Sequence, residues 1–104
     1  MRKRRFMLVD VFSSKMAKGN GLAVVFDADD LTDTQMQQFA SWTSMAETTF
    51  FLQPTDPEAD YRVRIFTPGR EMPFAGHPTL GSCAAWLKAG GKPVTTGVVR
   101  QECQ

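Results

Sequence analysis

The chain has 104 residues, 42% of them hydrophobic and 11% aromatic, and a formal net charge of +1. That length suits one small domain, and a composition this ordinary excludes a disordered chain. A near-neutral balance supplies no global field for nucleic acid or a membrane surface, and no apolar window of about 18 residues is present to span a bilayer.

Residues Arg2, Lys3, Arg4 and Arg5 form one local basic run, read as a solvated tail, with a nucleic-acid or targeting patch as the alternative. The apolar "FMLV" after it meets Asp10 too soon for a signal peptide. "RRFMLVDVF" (4–12) predicts a strand with Phe6, Leu8 and Asp10 facing away from Met7, Val9 and Val11. A loop follows, with a turn at Gly19-Asn20-Gly21, and then a short buried strand over 22–26.

Leu31-Thr32-Asp33-Thr34-Gln35-Met36 has the form of a capping box, Thr32 capping and Gln35 reaching back, with Leu31 and Met36 as the hydrophobic staple. It predicts an amphipathic helix over 32–42 whose buried stripe is Met36, Phe39, Ala40 and Thr43. "TTFFLQ" (48–53) and the alternating "YRVRIF" (61–66) predict a hairpin, and Thr67-Pro68-Gly69-Arg70 a type II turn.

Pro78 suits the first position of a second helix, which runs over 78–89 and is closed by Gly90-Gly91. Leu80, Cys83, Ala84, Ala85, Trp86, Leu87 and Ala89 put apolar groups on nearly every side, so this helix is expected to be buried on most faces, inside a curved sheet. "GVVRQE" (97–102) predicts a last strand.

Three residues carry chemistry. His77, the only histidine, precedes the second helix, where unpaired amides and the helix dipole favour an anion; it either binds a carboxylate there or only caps the helix. Glu47 lies between a helix end and an apolar strand; partial desolvation there suits a carboxylate to move protons, and a solvated loop glutamate is the alternative. Asp10, inside an apolar strand, is a third candidate. Cys83 and Cys103 have no metal or redox spacing, so no metal site is expected, both thiols are read as reduced, and the compartment as cytoplasmic.

The stretches "VDVFSSKMAKGNGLAVVFDADDLTDTQMQQFA", "AETTFFL", "YRVRIFTPGREMPFAGHPTLGSCAAWL" and "GVVRQEC" together resemble the N-terminal lobe of the PhzF-like isomerases of phenazine biosynthesis, which share the diaminopimelate epimerase-like fold. The pattern TPxxExPFAGHPTLG is long and specific. One departure from the family's usual sequence is Gly21, where the family usually has proline after Gly-Asn. The resemblance implies an α+β lobe in which a strongly bent mixed sheet, barrel-like, wraps the central apolar helix, with the helix over 32–42 outside it.

The resemblance also implies a cofactor-free isomerase. Glu47 takes the place of the acid/base glutamate that shuttles a proton between carbons of a small carboxylate-bearing substrate, and His77 hydrogen-bonds that substrate. Gly76 lets substrate approach the backbone, and Pro78 and Thr79 continue the substrate-binding stretch. Family members have two pseudo-symmetric lobes with the site between them, so residues 1–104 are expected to form one lobe with the second absent. Activity then requires a second lobe or a homodimer; the alternative is an inactive lobe that keeps a small anion pocket.

Overall fold

The computed structural model describes residues 5–11 and 20–103. Arg2 to Arg4, the loop over 12–19 and Gly19 of the expected turn lie outside the described residues, as do the side chains of Asp10 and His77.

Among the described residues, six strands form one mixed sheet: β1 (Phe6–Val11), β2 (Asn20–Val25), β3 (Glu47–Leu52), β4 (Tyr61–Phe66), β5 (Glu71–Met72) and β6 (Gln101–Glu102); β4 alternates buried and half-buried residues, whereas β2 and β3 are continuous runs buried on both faces. β1 and β2 are antiparallel, β2 and β3 parallel, and β3 and β4 form the expected antiparallel hairpin, with Thr48 opposite Phe66. Both β5 and β6 pair with β4, the first antiparallel and the second parallel. The fold is therefore α+β, with two helices among the described residues.

Helix α1 (Asp33–Thr43) joins the parallel strands β2 and β3. Its capping box is formed as expected: Gln35 N donates to Thr32 Oγ1 at 3.1 Å and Thr32 N donates to Gln35 Oε1 at 2.9 Å. Met36 and Ala40 are buried with Val25, Ala28, Phe50 and Phe66, and Leu31 and Phe39 pack against them. The opposite face of the sheet buries Leu22, Val24, Phe26, Phe51, Tyr61, Val63 and Ile65 under α2 (Gly76–Lys88), which contributes Ala85.

Several expectations change. Helix α2 starts two residues early, at Gly76, with Ala75 as its cap. Pro78 is thus the third helical residue, still inside the turn whose amides need no intrahelical acceptor. The helix closes as expected: Gly91 N donates to Trp86 O at 2.9 Å, and Gly90 has a φ of 98°, the left-handed region that glycine enters without penalty.

Burial of α2 is one-sided, however. Leu80 is 57% and Leu87 47% exposed, and Ala84 between them is exposed too. The described strands cover one face of the helix, the one carrying Pro78, Gly81, Ser82 and Ala85.

Two smaller features also differ. Gly69 has no positive φ, so 67–70 is not a type II turn; the Thr67 hydroxyl accepts from Gly69 N and Arg70 N instead and shapes a hairpin into β5. The last strand is only Gln101–Glu102, because Asp60 takes up Val94 N and Arg100 N and holds the preceding segment in a loop. Arg5, expected in a solvated tail, lies 4.8 Å over the Phe26 ring and donates to Ala89 O at 3.2 Å, a cation at a helix C-terminus.

Candidate active site

Sheet register relates the separated motifs through neighbouring strands. Glu47 is the first residue of β3, in register with Leu22, and Thr48 beside it faces Phe66, the last residue of β4. Phe66 in turn pairs with Glu71 in β5, and only residues 73–75 separate Met72 from Gly76, where α2 begins. Both ends of α2 are tied to the start of β4: the Trp86 ring lies 5.2 Å from that of Tyr61, and Gln101, opposite Tyr61, donates to Thr79 in the first helical turn, while Ala89 O accepts from the Arg5 guanidinium.

The strand period decides which way Glu47 points. Phe50 packs on the α1 side and Phe51 on the α2 side. Alternation therefore assigns Glu47, Thr49 and Phe51 to the face that α2 covers. Leu22, in register with Glu47, belongs to the α2-side cluster, in agreement. Glu47 is half-buried.

The first turn of α2 is receptive to anions. Ala75 has an extended backbone, with φ −153°, and makes no side-chain cap. Pro78 has no N–H, so Gly76 and His77 bring the outward-pointing amides of the turn. Gly76 is exposed, and a Cβ built there meets nothing within 4 Å. The His77 backbone lies in this turn.

Pro78 is fully buried, its ring packed inward. Thr79 is half-buried and its hydroxyl is already engaged, donating to Ala75 O at 2.9 Å and accepting from Gln101 Nε2 at 3.1 Å. The Asp10 backbone pairs with Gly21.

Sequence reasoning missed the polar groups that tie these elements together. Arg64 binds Glu71 through Nε at 2.8 Å and Nη2 at 2.7 Å, and reaches Asp33 at 2.7 Å, tying β4 to β5 and α1. Glu71 raises the Arg64 pKa further above its usual range, with Asp33 adding to it. Gln101 also accepts from the Tyr61 hydroxyl at 3.2 Å, whose pKa burial pushes up. Cys83 and Cys103 are free thiols. Among the described residues no group of three histidine, cysteine or acidic side chains is placed to hold a metal, and no helix is long and apolar enough to cross a membrane.

Residues 9–104 match the family model described as phenazine biosynthesis-like protein. The antisense-enhancing sequence 1 protein of Schizosaccharomyces pombe is 50% identical over 103 residues, 99% of this chain and 35% of that protein. The trans-2,3-dihydro-3-hydroxyanthranilate isomerase of Pseudomonas aeruginosa is 47% identical over 81 residues, 78% of this chain and 29% of the enzyme. Among solved structures, a phenazine biosynthesis protein of Bacillus anthracis superposes with a TM-score of 0.84 at 34% identity, covering 99% of this chain and 34% of that one. The chain thus spans about a third of the length of these relatives.

Proposed function

The chain belongs to the phenazine biosynthesis-like protein family, and on that premise we propose that it is one lobe of an isomerase acting on a small carboxylate-bearing substrate. The Glu47 carboxylate takes a proton from a substrate carbon and returns it to another carbon of the same molecule, so no bond to an external group is made or lost. The amides of Gly76 and His77 at the start of α2 receive the substrate carboxylate, and the His77 imidazole donates to it. The step uses protein groups alone.

One observation supports the reading: Glu47 stands half-buried on the α2-covered face of β3, and the first turn of α2 has no side-chain cap. A cyclic or amino-acid-like carboxylate satisfies both parts, and the P. aeruginosa relative is named for a cyclic carboxylate of this kind.

The working site includes a second lobe or a second copy of the chain, which covers the exposed stripe of Leu80, Ala84 and Leu87 and completes the wrap around α2. Excluding water from the cleft strengthens the interactions that guide the proton. The one-sided burial of α2 also favours a second reading, an inactive lobe that retains the anion pocket.

Solvent-deuterium incorporation into trans-2,3-dihydro-3-hydroxyanthranilate separates the two. The isomerase reading expects incorporation by the wild type and a loss of roughly 10²–10⁴-fold in Glu47→Gln. Equal incorporation by both proteins, or none by either at concentrations where the chain is associated, rejects it. The inactive-lobe reading expects no exchange but carboxylate-dependent shifts in the Gly76 and His77 amide resonances.

A further inference from the structure

On the α2-facing side of β3, one pleat inward from Glu47, stands Thr49. Thr49 is fully buried, with Val24 and Ile65 of the α2-side core in register on either side. Ser82, on the sheet-facing side of α2, is fully buried as well. Neither Thr49 Oγ1 nor Ser82 Oγ has a hydrogen-bond partner among the described residues. One hydroxyl comes from the strand and one from the helix.

Buried hydroxyls without partners oppose folding, and valine or alanine would fill either position without that cost. Ser82 is flanked on the buried side of α2 by Gly81 and Ala85, whose side chains are no larger than a methyl group. Residues two apart on a strand lie about 6.6 Å apart. Two hydrogen bonds through one water span about 5.6 Å, which suits a relay between such neighbours.

We propose that Thr49 and Ser82 are positioning residues for Glu47: their hydroxyls hold one internal water between β3 and α2, and that water hydrogen-bonds the Glu47 carboxylate. The water fixes the carboxylate from its inner side and leaves its outer side to the substrate. This deepens the reading of Glu47 as the proton-carrying group and rests on it.

The test uses Thr49→Val, Ser82→Ala and the conservative Thr49→Ser, read by NMR and thermal unfolding without substrate. The wild type is expected to show long-lived water cross-relaxation to Thr49 and Ser82 protons, lost in Thr49→Val and Ser82→Ala and kept in Thr49→Ser. The Glu47 carboxyl carbon shift at fixed pH moves in the first two variants and returns in the third, a change that loss of packing alone does not produce. Each of the two lowers Tm, and the double variant lowers it by less than the sum, because both remove the same water.

Higher Tm in both single variants, with an unmoved Glu47 carboxyl resonance, overturns the proposal. These readouts require no turnover. A wild type that exchanges no substrate proton therefore counts against the isomerase reading and leaves the water site to be judged separately.

Discussion

Gln101 donates from Nε2 to the Thr79 hydroxyl at 3.1 Å, across 22 residues of sequence, so that the last strand holds the first turn of α2. Gln101 stands opposite Tyr61 in the β4–β6 pair and accepts from the Tyr61 hydroxyl, which makes it a strut between sheet and helix. Gln101→Leu is expected to cost about 1 kcal/mol in urea unfolding. It should also raise amide exchange in the first turn of α2 more than elsewhere. Uniform exchange along α2 in the variant would remove Gln101 from that role.

Gly91 lies flat against the Trp86 indole: a Cβ built on it falls 2.3 Å from Trp86 Cδ2 and 2.4 Å from Cε2. Gly91→Ala therefore displaces Trp86 from Tyr61, at an expected cost of about 1–3 kcal/mol with a changed indole fluorescence maximum. Gly90→Ala meets open space but keeps a φ of 98°, so it is expected to cost about 1–2 kcal/mol with fluorescence unchanged. Identical spectra in the two variants would contradict this account of the Gly-Gly closure.

Two carboxylates make the C-terminal segment acid-sensitive. Amide donation from Val94, then Arg100, holds Asp60 below its usual pKa. Donation from the Thr55 hydroxyl, then the Asp56 amide, does the same for Glu102. A depressed carboxyl contributes stability that is complete above its unfolded pKa, about 4 for these residues, and is lost as pH falls through the lower folded value. Stability from these groups should thus be flat from neutrality to about pH 5 and decline below about pH 4. In Asp60→Asn and Glu102→Gln the decline should be shallower when Tm is followed from pH 7 to 3. An unchanged slope would show that other groups dominate acid unfolding.

The stripe of Leu80, Ala84 and Leu87 is the surface on which assembly is expected to depend. Leu80→Lys together with Leu87→Lys exchanges two exposed side chains, so the stability of the isolated chain should change by about 0.5 kcal/mol or less. Light scattering over a concentration series should show association in the wild type and its loss in the double variant. Association that survives both lysines would assign the interface elsewhere.

Local signals in the sequence were reliable where local interactions are sufficient. The Thr32–Gln35 capping box, the alternation of Tyr61, Val63 and Ile65, and the Gly90-Gly91 closure are made by residues within a turn or a pleat of one another, and each is found as read. The type II turn at Pro68-Gly69 was not, because the Thr67 hydroxyl offers the two amides an alternative acceptor that favours a different backbone. The start of α2 was misplaced by two residues, since proline is tolerated anywhere in the first turn and so marks that turn rather than its first residue.

By itself, the sequence determined the family, the two helices, the strand periods and the identity of Glu47, Gly76 and His77 as candidates, because motif and period are properties of neighbouring residues. Only the tertiary structure decided that Glu47 lies on the sheet face that α2 covers, that Thr49 and Ser82 are buried without partners among the described residues, and that the described strands cover α2 on one side. Those relationships depend on strand register and on hydrogen bonds between distant residues, such as Gln101 to Thr79, whose partners are chosen by the packing of the whole sheet.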